Sequence, residues 1–207
     1  MYVESGIPVV SPGSIRWGEL DLDSPTKRVT PDDHISLMDH CDARCGDLVM
    51  SRNQSIGVAS YVSSRQPFVL GQDTIIIQCR RNQSNPKFAF FALQSDAVQR
   101  QISSLSGGST FSRINLRDIR KLKIPLPEIA EQTYIADVLS TWDRAIKTTE
   151  KLIENSKAQK TALMQQLLTG KKRLPGFGDE WRQYPLGQLF TERKESNRLD
   201  LSLLSIT

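Results

Sequence analysis

From Glu128 to Thr169 the chain contains neither glycine nor proline. Those are the two residues that most readily end a helix. Within the stretch, Trp142, Ile146, Thr149, Ile153, Ser156, Lys160, Leu163 and Leu167 recur in alternating steps of four and three. That period holds a narrow seam on one side of a single helix. The spacing predicts a helix over 128–170, roughly 60 Å long at about 1.5 Å per residue. Gly170 stands where a helix would end, and Lys171, Lys172 and Arg173 complement the negative pole there. The rest of the chain is too small to cover such a seam, so the helix is expected to pair with another helix. Thr149, Ser156 and Lys160 weaken the middle of the seam, which suits a short pairing of defined register. A hairpin folded back on itself is the alternative, and it lacks the internal break it would need.

The region before the helix reads differently. Gly6–Val10, Asp47–Met50, Gly57–Val62, Pro67–Leu70 and Thr74–Ile77 are short apolar runs of strand length, rich in β-branched residues and separated by turn signals. Pro86 to Ser104 predicts a helix, with Asn85 as N-cap, Pro86 in the first turn, and Phe88, Phe91, Ser95, Val98, Ile102 and Leu105 as its packed stripe. Asn115–Leu122 predicts one more short helix, and Leu122–Pro127 a final extended segment. The fold class is therefore α+β: a mixed α/β domain over 1–127, then the long helix. Residues 171–180 read as a linker. Residues 181–207 look like the start of a strand–turn–strand unit, too short to fold alone.

Composition narrows the function classes. The net charge is +4, and residues 1–127 hold 15 Lys and Arg against 12 Asp and Glu. An anionic partner would meet that part first. No apolar run approaches the ~20 residues of a membrane span, and the first residues lack a signal peptide's pattern. Three cysteines, Cys41, Cys45 and Cys79, read as reduced thiols in the cytoplasm. Cys41 and Cys45 lie near His34 and His40, but structural zinc needs two tight ligand pairs, so no metal and no cofactor is expected. Neither a phosphate-binding lysine loop nor a nucleophile elbow is present.

Two motifs point to a family. Pro125-Leu-Pro127, followed by Glu131-Gln132, Ile135-Ala136 and Leu139, resembles the junction between a target-recognition domain and a spacer helix in the specificity subunits of type I restriction–modification systems. Leu163-Met-Gln165-Gln166-Leu167-Leu168-Thr169-Gly170-Lys171 with Arg173-Leu174 resembles the end of that spacer. Gly6-Ile-Pro8 with Pro12-Gly13, Gly46–Val49, and Gly107–Ile114 ahead of Pro125 are weaker marks within the domain. The resemblance implies a non-catalytic subunit that reads one half of a split double-stranded DNA target. It also implies antiparallel spacer helices and docked DNA methyltransferase (modification) subunits, with the restriction subunit reached through them. The family's intact subunit carries two recognition domains and two spacers, so this chain holds about half of that plan, as a split or half-length form. Trp181 through Phe190, with Leu186-Gly187, resembles the strand that normally opens a recognition domain. This implies a homodimer in which 181–207 completes the partner's domain. Asn85-Pro86-Lys87-Phe88 has some likeness to an adenine-methyltransferase motif, but Lys87 replaces its second proline, and it reads as a helix start.

Candidate DNA-contacting residues follow from chemistry. Arginine suits guanine, and Asn or Gln suits adenine, while hydroxyls and backbone amides hold phosphates. Arg52, Asn53, Gln54 and Ser55 form one such cluster, and Ser109, Thr110 and Arg113 another. Arg16, Lys27 and Arg28 complete the set. Two alternatives remain open: an assembly remnant that binds modification subunits without reading DNA, and an inhibitor that competes with intact specificity subunits.

Overall fold

The structure, a computed structural model, describes residues 2–25, 27–39, 43–80, 82–106 and 113–191. In chain order the strands are β1 (Ile7–Val10), β2 (Gly18–Glu19), β3 (Arg28–Val29), β4 (Leu48–Ser51), β5 (Ala59–Tyr61), β6 (Val69–Leu70) and β7 (Thr74–Ile77). The helices are α1 (Pro31–Met38), α2 (Pro86–Gln94), α3 (Asp96–Ser106), α4 (Leu116–Ile119), α5 (Ile129–Leu167) and α6 (Leu186–Leu189). The chain divides into two compact units, with the division between Lys147 and Thr148.

The first unit is built around β4, whose four residues are all buried. Leu48 and Met50 point into a core with Ala59, Ala89, Phe90, Leu93, Val98, Ile102 and Ile114. Val49 points the other way, into a core with Val10, Ile15, Leu20, Leu22, Val62 and Phe68. A strand covered on both faces reads as a continuous apolar run, not as an alternation. That is why Leu48-Val49-Met50 shows no period of two. β4 is central in a sheet of order β2-β5-β4-β7, antiparallel to β5 and β7, with β2 parallel to β5. A second sheet, β3-β1-β6, buries Val9, Val29 and Val69.

All five anticipated apolar runs contribute strands. The short β2 and β3 and the helix α1 carried too little pattern to be expected. α1 is started by Thr30, whose hydroxyl accepts from the Asp33 amide, and by Pro31 in its first turn. The anticipated helix over 86–104 is two helices. Ser95 breaks it, with extended backbone at φ −64°, ψ 144°, and its carbonyl accepts from the amides of Val98 and Gln99. The Ser95 amide and hydroxyl both donate to the Ala92 carbonyl, which closes α2 there before α3 begins at Asp96. The break changes the packed stripe: α2 buries Phe88, Ala89, Phe90 and Leu93, and α3 buries Val98 and Ile102. Phe90, outside the expected stripe, makes edge contacts with Trp17, Tyr61 and Phe91. Leu122–Pro127 forms no strand, although Leu122 and Ile124 pack partly on the first core.

α5 is a single uninterrupted helix of 39 residues, as the breaker-free stretch requires. Its start is locked to the first unit by Gln132, only 1% exposed. The Gln132 Oε1 accepts from the Asn85 amide at 2.8 Å, and Nε2 donates to the carbonyls of Pro127 at 2.7 Å and Gln83 at 3.1 Å. Asn85 in turn caps α2 through the amides of Lys87 and Phe88. One glutamine thus ties the beginning of α5 to the beginning of α2, and the buried Ala136 completes the contact.

In the second unit α5 ends in a tight reversal. The Lys172 amide donates to the Gln166 carbonyl and the Gly170 amide to the Leu167 carbonyl. Gly170 sits at φ 73°, where glycine is favoured. The Trp181 ring lies against Gly170, and the Arg173 guanidinium stands 5.3 Å from the ring centre while donating to the Asp179 carbonyl. Between 181 and 191 the expected strand is replaced by the short helix α6. The remainder of the proposed 181–207 segment lies outside the described residues. Among the described residues no helix is long and apolar enough to cross a membrane.

Candidate nucleic-acid interface

The strand pair β4–β7 has two ends. At one, Ser51 opposes Thr74, and the chain continues into the polar run Arg52-Asn53-Gln54-Ser55. Three segments are knitted together there. The Arg52 amide donates to the Asp73 carbonyl at 2.8 Å, and the Arg52 carbonyl accepts from the Ile114 amide at 3.0 Å. Asn53 and Arg113 form an isolated antiparallel bridge. Asp73 and Gln54 both adopt positive φ, 64° and 59°, a conformation that Asn and Asp tolerate best among residues with a side chain. The loop then returns through Gly57 (φ 80°), where a Cβ would stand 2.7 Å from Ile102 Cδ1. Only glycine allows so close an approach.

The Asp73 carboxylate gathers the side chains of this end. Its Oδ1 lies 2.7 Å from Arg113 Nη2 and 3.5 Å from Arg52 Nη2, and its Oδ2 accepts from Asn53 Nδ2 at 3.4 Å. The Arg52 and Asp73 side chains are each only 13% exposed, whereas Arg113 is 47% exposed. Arg113 and Gln54 therefore present polar atoms to solvent, while Arg52 lies beneath them. Gln54 Oε1 also sits beside Gly13, which joins the cluster to the Pro12–Ser14 turn.

That turn borders a cavity of about 370 Å³ lined by Ser11, Ser14, Arg16, Asp21, Ser24 and Lys27, among others. Arg16 is exposed, and its backbone amide and carbonyl are both bonded to Ser60 Oγ. Lys27 Nζ lies 5.1 Å from the Tyr2 ring centre. The structure thus brings Arg52, Asn53, Gln54 and Arg113 together, and places Arg16 and Lys27 at one neighbouring cavity. Arg28 is not among them: its guanidinium donates to the carbonyls of Gly6 and Asp23. Ser55 lies in the loop, half-buried. Ser109 and Thr110 lie outside the described residues, as do His40 and Cys41. Among the described residues no His, Cys, Asp or Glu group is arranged to hold a metal.

Two residues that sequence reasoning did not single out matter most for this geometry. Asp73 had no local signal beyond its place in a Gly-Gln-Asp turn, and Gln132 was visible only as a letter in a motif. The opposite end of the strand pair, where Leu48 meets Ile77, is organised by the buried Asp47, which accepts from the Arg44 amide and from Gln78 Nε2. Beside it, burial pushes the thiol of Cys79 and the phenol of Tyr61 above their ordinary pKa ranges.

Along α5 the seam is uncovered. Trp142 is 67% exposed, and Ile146, Ile153 and Leu163 are exposed with Thr149, Ser156 and Lys160; Leu167 is half-buried. Leu152, Met164 and Leu168 are exposed as well and widen the stripe.

Residues 29–156 match a family model described as Type I restriction modification DNA specificity domain. The chain belongs to that family. It is 24% identical over 180 residues to the Type I restriction enzyme MjaVIII specificity subunit of Methanocaldococcus jannaschii, covering 84% of the chain and 41% of that relative. Among solved structures it resembles the HsdS subunit from Thermoanaerobacter tengcongensis with a TM-score of 0.54 at 19% identity, covering 87% of the chain and 45% of that protein. It also resembles a type-I restriction-modification system S subunit from M. genitalium, with a TM-score of 0.53 at 18% identity, covering 80% and 42%. The chain spans less than half the length of each. The structural likenesses establish the α+β fold with its long helix. The matched region is that family's DNA specificity domain.

Proposed function

We propose that this chain reads one half of a split double-stranded DNA target through the loops around Arg113 and Gln54. In this reading it pairs antiparallel with a second copy through the seam of α5. Modification subunits dock on the paired helices and bring the restriction subunit with them. Membership of the specificity-domain family supports the reading. The observation that carries it is the Arg52–Asn53–Gln54–Arg113 cluster, in which a guanidinium and an amide, the groups that read guanine and adenine, face solvent on loops fixed by buried strands. The seam's exposed Trp142, Ile146, Ile153 and Leu163 support helix pairing, because contiguous apolar surface of this kind marks an interaction site. The exposed Trp181, Tyr184, Leu186, Leu189 and Phe190 support a role for the segment from 181 onward in completing a partner's recognition domain.

The deciding experiment measures anisotropy of a labelled random-sequence duplex across a salt series, with sedimentation of the same sample. The expected result is a dimer that binds the duplex and loses affinity steeply as salt rises. Ile153→Asp with Leu163→Asp is expected to give a monomer, and removal of 181–207 to abolish folding; a well-folded, DNA-binding monomer without 181–207 would overturn completion by the partner. A dimer that ignores DNA at low salt would favour the assembly remnant instead.

A further inference from the structure

The Asp73 carboxylate sits inside the Arg52–Arg113 cluster. A DNA-facing cluster gains affinity from each uncompensated cation, yet this one contains a carboxylate in contact with both of its arginines. The Asp73 placement is specific. Its backbone holds φ 64°, its carbonyl accepts from the Arg52 amide, and its two oxygens are divided between the arginines and Asn53.

We infer that Asp73 is a positioning and specificity-determining residue of the DNA surface. It tethers Arg113 by charge and orients Asn53 by a hydrogen bond, while lowering the net charge of the Arg52–Arg113 pair from two to one. This rests on the reading of these loops as the DNA interface. The ion pair keeps Arg113 beside the carboxylate and the Oδ2 hydrogen bond orients Asn53, whereas Oδ1 makes no hydrogen bond that would fix the guanidinium's direction. The same carboxylate repels phosphates, so it weakens contact with DNA of the wrong sequence, where only the backbone attracts. Removing it is therefore expected to strengthen binding to arbitrary DNA while loosening discrimination.

The test uses the full chain and a labelled random-sequence duplex. Asp73→Asn and Asp73→Gly are the suitable variants, because Asn and Gly accept positive φ with little strain. Each is expected to bind the random duplex several-fold more tightly at low salt. The slope of log affinity against log salt should steepen by about 0.9, the value for one added phosphate contact. Asp73→Glu keeps the charge and should keep the parent slope. Asp73→Asn combined with Arg113→Ala should return to the parent slope, because one cation then replaces the former sum. An unchanged or shallower slope in a folded Asn or Gly variant would overturn the inference, as would failure of both to fold, which would make Asp73 a structural staple only. If the parent chain binds no duplex at all, the proposed DNA interface itself fails, an outcome separable from a parent that binds with variants that do not differ.

Discussion

The two ends of the β4–β7 strand pair are both polar, but they are built to opposite standards. At the Asp47 end, the nearby Gln132 is 1% exposed and makes three hydrogen bonds, all to main-chain groups. At the Asp73 end, a shared carboxylate serves two arginines and an asparagine, and one arginine is 47% exposed. A buried amide with satisfied partners has nothing to exchange them for, so it fixes geometry. A half-exposed ion pair can trade a carboxylate for a phosphate or a base edge at small cost. The closed end anchors the long helix, and in the proposed reading the open end is the one that meets DNA.

The hardest blow to this comparison falls on the closed end. Gln132→Leu strands the Asn85 amide and the carbonyls of Gln83 and Pro127, and is expected to cost about 3 kcal/mol or more in urea unfolding. Among molecules that remain folded, the salt slope for DNA should not move. At the open end Arg52→Ala should cost less, about 1–2 kcal/mol, because Arg113 still neutralises Asp73. If Arg52→Ala instead leaves stability untouched and changes only sequence preference, Arg52 reads bases directly. Arg113→Ala, being exposed, should change stability by under about 0.5 kcal/mol, and flatten the salt slope by about 0.9. The smallest effect is chemical. Exposed Cys45 should alkylate before half-buried Cys79, whose raised pKa leaves less thiolate at a given pH. The gap should narrow as pH rises, as read by peptide mass mapping.

Much of the architecture was legible because it rests on period and punctuation. α5 follows from a seam in steps of four and three without a breaker, and the strands from apolar runs between turns. The division at Ser95 rests on bonds back to the Ala92 carbonyl, and an apolar stripe running straight through it hid the break. β2 and β3 are two residues each, too short for any periodicity to register. In the candidate site, residue type pointed to Arg52, Asn53, Gln54 and Ser55 as one cluster and to Ser109, Thr110 and Arg113 as another. The roles of Arg52, Asn53 and Arg113 depend on burial and on Asp73, which lies 21 positions after Arg52 and 40 before Arg113. No local rule reports a contact closed only by the sheet. Arg28 shows the same limit in reverse: a fitting side chain whose donors are taken by the carbonyls of Gly6 and Asp23.

The uncovered stripe on α5 makes the state of this chain a question of amount. In the proposed pairing, cover of Trp142, Ile146, Ile153 and Leu163 follows mass action, so dilution would bare the stripe and abundance would hide it. Any other helix with a matching stripe enters the same competition. The balance between such helices would then set which assemblies exist, with no change in any residue of the candidate interface.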